Sequence, residues 1–159
     1  MRIVIDMDQT IVGNRVEPDG SFTVQPRPGI SAFLRALRAR GHKLILWTAA
    51  AKSWTRELQN AYPKIFESFS KIYTRETLPA HDANGYFKDI RRIKGDVMID
   101  DEPTFKEIAN RIGIGSRYIQ IDPYRPGVDP SVSLRKVYRR IESISSKGTS
   151  TTLRPRFSF

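Results

Sequence analysis

Residues 1–10 read MRIVIDMDQT, and this stretch decides the fold. Residues 2–5 are mostly apolar and β-branched, in a run too short for a helix, and they predict a buried strand. Asp6 and Asp8 follow that strand immediately. Taken alone, an acidic pair at this place is as typical of a solvated turn as of a binding site. The remainder of the chain decides between these two interpretations.

Other apolar segments repeat the strand pattern and alternate with helical stripes. We predict further strands at 43–47, 71–73, 96–99 and 118–121, and helices over the stripes at 30–37, 54–61, 86–93, 105–112 and 134–144. This alternation predicts an α/β fold, a Rossmann-like doubly wound parallel sheet of about five strands with helices on both faces. Residues 12–28 contain an Asp19-Gly20 turn signal and predict a small β-hairpin flap after the first strand.

Length and composition exclude several classes of protein. The 159 residues are enough for one domain with its own core. The chain has no cysteine, which excludes disulfides, thiolate zinc sites and a cysteine nucleophile. No apolar run is long enough to cross a bilayer, and the first residues do not resemble a signal peptide. We therefore expect a cytoplasmic protein with no membrane partner.

The charge is positive and unevenly distributed. Basic residues outnumber acidic ones by 27 to 17, and this net charge of +10 favours anionic partners. Residues 135–159 hold seven bases and one acid, which is +6 of that total. We expect one folded domain over 1–146 and a basic, Ser/Thr-rich tail over 147–159 that is flexible unless bound. The sequence does not determine an oligomeric state.

Polar residues stand where three of the predicted strands end. Asp6 and Asp8 follow the first strand, Thr48 follows the strand at 43–47, and Asp100 and Asp101 follow the strand at 96–99. The carboxyl ends of parallel strands form one edge of the sheet, so we expect these side chains to meet there. Clustered carboxylates repel one another unless a cation or protons intervene. Several oxygens without thiols suit Mg²⁺ better than zinc, although the second acidic pair alone also fits a helix N-cap.

Two further positions suit an anion. Thr48 and Ala49 stand where a strand runs into a helix, and the hydroxyl and backbone N–H groups there are suited to a phosphate. Threonine also commonly caps helices, so this signal alone is weak. Lys88 lies off the apolar stripe of its predicted helix, where a lone lysine is usually a solvated charge. Beside carboxylates, a cation and a phosphate, it would supply a fixed positive charge.

The order of these residues resembles the four motifs of the haloacid dehalogenase superfamily. Successive separations from Asp6 to Thr48, to Lys88 and to Asp100 are 42, 40 and 12 residues. Within that superfamily, the chain looks most like the small group of RNA polymerase II C-terminal-domain phosphatases. The stretches that carry this likeness are RPG at 27–29, LWTA at 46–49, GYFKD at 85–89 and IDDEP at 99–103. The resemblance covers roughly residues 1–122.

The resemblance implies a magnesium-dependent phosphatase. Asp6 would be the nucleophile that forms an aspartyl-phosphate, and Asp8 would be the general acid and base. The resemblance assigns phosphate binding to Thr48, Ala49 and Lys88. It assigns the metal to Asp6, the Asp8 carbonyl, and Asp100 or Asp101, and these residues do not reveal which of the last two contacts the ion.

The sequence leaves the substrate open. The segments between motifs have no room for a separate cap domain, so we expect an open site and a phosphorylated macromolecule, either a protein or a nucleic-acid end. Gln9 and Asp101 differ from the residues that the polymerase-phosphatase group favours. A polynucleotide 3′-phosphatase therefore remains an alternative, as does a non-catalytic module that binds nucleic acid or a partner. The intact Asp8 favours the enzyme.

Four other conspicuous residues receive ordinary interpretations. Trp54 begins a helical stripe, so we expect it in the core. His42 follows a glycine in a turn and is expected at the surface. Arg15 and Arg27 flank the predicted hairpin, and we expect both to face solvent and touch the surface of a large substrate.

Overall fold

The computed structural model describes residues 1–79, 81–82, 85–127 and 131–148. Its strands are β1 Arg2–Ile5, β2 Val12–Val16, β3 Phe22–Pro26, β4 Lys43–Trp47, β5 Lys71–Tyr73, β6 His81–Asp82, β7 Gly85–Tyr86, β8 Val97–Asp100 and β9 Tyr118–Gln120. Its helices are α1 Ile30–Ala39, α2 Lys52–Ala61, α3 Pro63–Phe66, α4 Pro103–Arg111 and α5 Ser131–Gly148. Short 3-10 turns occupy Ile90–Ile93 and Gly115–Arg117.

Among the described residues, five strands form one parallel sheet in the order β5-β4-β1-β8-β9. The central strand, β1, pairs with β4 on one side and with β8 on the other. Its last residue, Ile5, is level with Leu46 and Ile99. Asp6 and Asp100 lie one position beyond Ile5 and Ile99, and Thr48 lies two positions beyond Leu46, so the three share the edge where the site is predicted.

Both faces of the sheet are covered, as the continuous apolar strands predict. Ile3 and Ile5 belong to a core cluster that includes buried residues of α1 and α5, such as Leu34 and Val137. Val4 points to the opposite face, into a second cluster with residues of α4. This confirms the doubly wound α/β fold.

Two small antiparallel hairpins accompany the sheet. β2 and β3 pair with Val16 opposite Phe22, and they form the hairpin that residues 12–28 predict. β6 and β7 form a second, two-residue pairing. Between the motifs at Asp6, Thr48 and Lys88, the described residues form these hairpins, α1, α2, α3 and core strands, with no separate cap domain.

The predicted helix over 86–93 is wrong. The structure has strand β7 at Gly85–Tyr86 and then only a 3-10 turn at Ile90–Ile93. The Asp89 carboxylate caps that turn by accepting from the Arg91 N–H at 3.0 Å, and Lys94 ends it in the left-handed region at a φ of 53°. The apolar residues at helical spacing reflect the burial of Ile90 rather than a long helix.

The C-terminal region is described only in part. α5 continues to Gly148, so the first two residues of the predicted tail at 147–159 belong to this helix. The rest of that tail lies outside the described residues. Within the described part of the chain, no helix is long and apolar enough to span a membrane.

Candidate active site

Four predicted residues meet at the carboxyl edge of the sheet, and three of them come from the ends of β1, β4 and β8. Asp6, Thr48 and Asp100 are all buried at the carboxyl edge of the sheet, with exposures of 6%, 0% and 4%. The Asp6 N–H donates to the Ile99 carbonyl at 3.0 Å, which continues the β1–β8 ladder into the site. Lys88 reaches the same place from the loop after β7 and is 2% exposed.

Lys88 holds two of the carboxylates. Its Nζ donates to Asp6 Oδ1 and to Asp100 Oδ2, the second at 3.0 Å. Burial alone would lower the pKa of this lysine, but Asp6 and Asp100 outweigh that effect and raise it above the ordinary value. The ammonium is therefore charged at neutral pH, and it fixes the position of the Asp6 carboxylate.

Asp8 has a different environment from Asp6. Its carboxylate accepts from Thr48 Oγ1 and from Trp54 Nε1, both at 3.4 Å, and it forms no ion pair among the described residues. Burial and the negative charge of Asp6 raise the pKa of Asp8 above its ordinary value. Two carboxyl groups two residues apart therefore have different partners, since Asp6 is paired with Lys88 and Asp8 accepts only from neutral donors among the described residues.

Three carboxylates are close enough to share one cation. Asp6, Asp100 and Asp101 each offer an oxygen, and these oxygens lie within 4.8 Å of one another. Burial and the charge of Asp6 raise the pKa of Asp101 to about 6, and burial raises that of Asp100. Thr10 Oγ1 orients Asp101 by donating to its Oδ1 at 3.0 Å. An all-oxygen set of repelling carboxylates fits a hard divalent cation such as Mg²⁺.

The surroundings of Thr48 and Ala49, the predicted phosphate-binding residues, differ in detail from the expectation. α2 begins at Lys52 rather than directly after Thr48, and the Lys52 N–H already donates to the Glu76 carboxylate at 2.9 Å. Thr48 Oγ1 accepts from the Ala50 N–H at 2.9 Å, so the hydroxyl closes a turn at the end of β4. Ala49 lies in this turn and is half-buried. An anion at the predicted position would therefore meet the turn at 48–50 rather than the helix terminus.

Sequence reasoning missed the role of Trp54. It is packed partly against the core, as expected, but its indole N–H reaches the Asp8 carboxylate. Trp54 stands in the first turn of the helix that follows Thr48, and that turn lies at the same edge as the site. This position in the chain is a signal that could have indicated it.

Two surface assignments are wrong. Arg27 is only 1% exposed and donates to main-chain carbonyls, so it does not face a substrate. His42 is buried, and burial lowers its pKa. A residue before a helix start and a residue after a turn glycine are usually solvated, so local sequence carries no signal for either burial.

Family comparison gives the site its context. The sequence profile of the NLI interacting factor-like phosphatases matches residues 1–151. The chain belongs to this family. Membership confirms the resemblance to the haloacid dehalogenase superfamily and to its group of polymerase C-terminal-domain phosphatases. The residues through which the sequence resembles the four superfamily motifs, namely Asp6, Thr48, Lys88 and Asp100, meet at the carboxyl edge of the sheet.

A structural comparison supports the fold. The NLI interacting factor-like chain is similar to a solved structure described as a beta-phosphoglucomutase from Thermotoga maritima, with a TM-score of 0.50 and 18% identity. The similarity covers 74% of this chain and 62% of that one. At this identity it shows the fold alone. No curated protein matches the chain significantly.

Proposed function

We propose that this protein is a Mg²⁺-dependent phosphomonoester hydrolase that works through an aspartyl-phosphate. The observation that carries the proposal is the contrast between two neighbouring carboxylates. Asp6 is paired with Lys88, whereas Asp8 has no cation partner among the described residues and has a raised pKa. Membership in a phosphatase family supports the same chemistry.

In the first step, the Asp6 carboxylate attacks phosphorus and the bond from phosphorus to the leaving oxygen breaks. Asp8 gives its proton to that oxygen, so the product leaves as an alcohol. In the second step, Asp8 takes a proton from water, and the hydroxide hydrolyses the acyl phosphate on Asp6. One carboxylate cannot be both nucleophile and proton carrier, which is why the pair is required.

The remaining residues bind charge. Thr48, the Ala49 backbone and Lys88 would bind the oxygens of the phosphoryl group, where negative charge is held in the transition state. Asp6, the Asp8 carbonyl, Asp100 and Asp101 would hold Mg²⁺. When bound, the ion offsets the repulsion between the phosphate and the anionic nucleophile. Lys88 contributes to the same effect through its fixed positive charge.

We further propose that the substrate is a phosphorylated macromolecule and that the protein acts in the cytoplasm. The described residues between the motifs form no cap domain, so a small metabolite would lack an enclosing wall. The net charge of +10 supports an anionic polymer as substrate.

A substrate panel with Mg²⁺ tests the proposal. The panel contains an aryl phosphate, a phosphoserine peptide, 3′- and 5′-phosphorylated oligonucleotides, free phosphoserine and mononucleotides. We expect hydrolysis that chelation abolishes and that Asp6→Asn removes, with kcat/KM for the best polymer at least about tenfold above its monomer. Near-full activity of Asp6→Asn would contradict the covalent mechanism. Preference for a free nucleotide over every polymer would contradict the macromolecular substrate.

The panel also separates the alternatives. Hydrolysis confined to the 3′-phosphorylated oligonucleotide would make the protein a polynucleotide 3′-phosphatase. Binding of oligonucleotides without turnover of any substrate would make it a non-catalytic module. Preference for the phosphopeptide would assign it to phosphoproteins.

A further inference from the structure

The Arg27 side chain contacts the turn at residues 9–10, which directly follows Asp8. Its hydrogen bonds with this turn are all to main-chain carbonyls. Its Nε donates to the Thr10 carbonyl at 2.6 Å, and its Nη2 donates to the Gln9 carbonyl at 2.8 Å and to the Asp122 carbonyl at 2.6 Å. The Arg27 backbone N–H adds a bond to the Ile11 carbonyl at 2.9 Å. One buried side chain therefore ties the residues directly after Asp8 to the loop after β9.

The turn that Arg27 holds is not intrinsically stable. Gln9 has a φ of 57°, in the left-handed region, which is unfavourable for a residue with a side chain. The Gln9 carbonyl also accepts from the Tyr124 N–H at 2.7 Å, so two donors hold it in this conformation. The Tyr124 ring centroid lies 5.5 Å from the Arg27 guanidinium carbon and closes the other side of the contact.

A buried guanidinium is a costly way to fill a core. Arg27 forms no salt bridge with a described residue, and its Nη1 has no hydrogen-bond partner among them. Asp101 and Asp122 stabilise its charge only from a distance, and burial lowers its pKa. An apolar side chain would fill this space at less expense. What arginine alone supplies is a rigid fork of donors that reaches three carbonyls at once.

We propose that Arg27 is a positioning residue for the general acid. Asp8 immediately precedes the turn that Arg27 fixes, so the fork sets the direction of the Asp8 side chain and carbonyl. Thr10, held by the same fork, orients Asp101 through its hydroxyl. The proposal rests on the proposed function, because it concerns how Asp8 delivers a proton to the leaving oxygen.

The dependence of the rate on the leaving group distinguishes a role of Arg27 in positioning Asp8 from a role in folding. An aryl phosphate has a good leaving group and needs little protonation, whereas an alkyl phosphate needs a well-placed acid. In Arg27→Met we expect kcat/KM for the alkyl phosphate, which reports the step in which the leaving oxygen is protonated, to fall at least about tenfold more than kcat/KM for the aryl phosphate. A role in folding alone would lower both rates by the same factor, the fraction of folded protein.

A matched control is available at the opposite edge of the sheet. Arg117 also donates to main-chain carbonyls, those of Gly95 and Asp96, which precede β8. Arg117→Met should lower the free energy of unfolding without changing the ratio of alkyl to aryl rates. Circular dichroism and a thermal melt establish that each variant is folded at the assay temperature.

Each outcome decides the proposal. Equal losses on the two substrates, or the same ratio change in Arg117→Met, would overturn it. If Arg27→Met does not fold, the ratio of alkyl to aryl rates is measured in Arg27→Lys instead. Lysine keeps the positive charge but lacks the several donors of the guanidinium. Failure of both variants to fold would make Arg27 a core residue and overturn the assignment. A wild-type protein that hydrolyses neither substrate refutes the proposed function instead.

Discussion

Replacing Lys88 with methionine removes the only cation that contacts both Asp6 and Asp100 among the described residues. Methionine fills a similar volume, so the change acts mainly on charge. The lysine is 2% exposed, and its two partners are almost as deeply buried. Removing one partner from a buried ion pair typically costs about 3–5 kcal/mol, because it leaves uncompensated charge in the interior. We expect Lys88→Met to lose about this much free energy of unfolding in the presence of a chelator.

Denaturant unfolding at pH 7.5 measures the loss, and Arg40→Met provides the control. Arg40 pairs with Glu142 at 2.8 Å, but its side chain is 58% exposed, so its removal should cost far less than that of Lys88. The deficit of Lys88→Met should shrink as the pH falls towards 5, because burial raises the pKa of Asp100 and its protonation removes the uncompensated charge. Saturating Mg²⁺ should also reduce the deficit if the three carboxylates bind the ion. A loss below about 1 kcal/mol, or one that neither acid nor Mg²⁺ reduces, would refute this electrostatic account.

Three other predictions address separate parts of the molecule. Asp8→Asn should retain Mg²⁺ affinity by calorimetry but lose about 10²–10⁴ in kcat/KM for an alkyl phosphate, and less in kcat/KM for an aryl phosphate; equal losses of kcat/KM would remove Asp8 as the acid. Gly13→Ala should destabilise the fold by about 1–3 kcal/mol in a denaturant titration, because a Cβ there would lie 2.6 Å from the Tyr124 ring; an unchanged midpoint would contradict that contact. Burial lowers the pKa of His42, so the unfolded chain binds its proton first, and stability should fall as the pH drops through about 6.5. His42→Gln should show a smaller fall, and identical pH profiles would refute a buried neutral imidazole.

The sequence predicts the layout of the sheet because burial on both faces leaves a strong signal. The five parallel strands have continuous apolar runs, and the polar residues that end β1, β4 and β8 are adjacent in register. The positions of Asp6, Thr48 and Asp100 follow from topology without any side-chain detail. Helix spacing was equally informative where a full apolar stripe faced the sheet, as in α1 and α5.

Prediction from the sequence fails where contacts between residues distant in the chain determine the local structure. Residues 86–93 have helical spacing, but Asp89 caps a short turn instead. Arg27 is charged and precedes a helix, yet it is buried because three carbonyls distant from it in the chain converge on its fork. Trp54 serves both the core and the Asp8 carboxylate, and periodicity reveals only the first of these roles. Such contacts depend on the assembled edge of the sheet, which no local window of sequence contains.

The central claim is that Asp6 carries a covalent phosphoryl group during turnover. The direct measurement is mass spectrometry of protein quenched in acid during steady-state hydrolysis, with peptide mapping of the phosphate. In Mg²⁺ we expect a phosphate at a single position, with partial occupancy, on the peptide that contains Asp6. We also expect a higher occupancy in Asp8→Asn, where the acyl phosphate forms from an aryl substrate but water is poorly activated, and none in Asp6→Asn. An active wild-type protein that shows no phosphate on this peptide, or a phosphate on a different residue, would contradict the account.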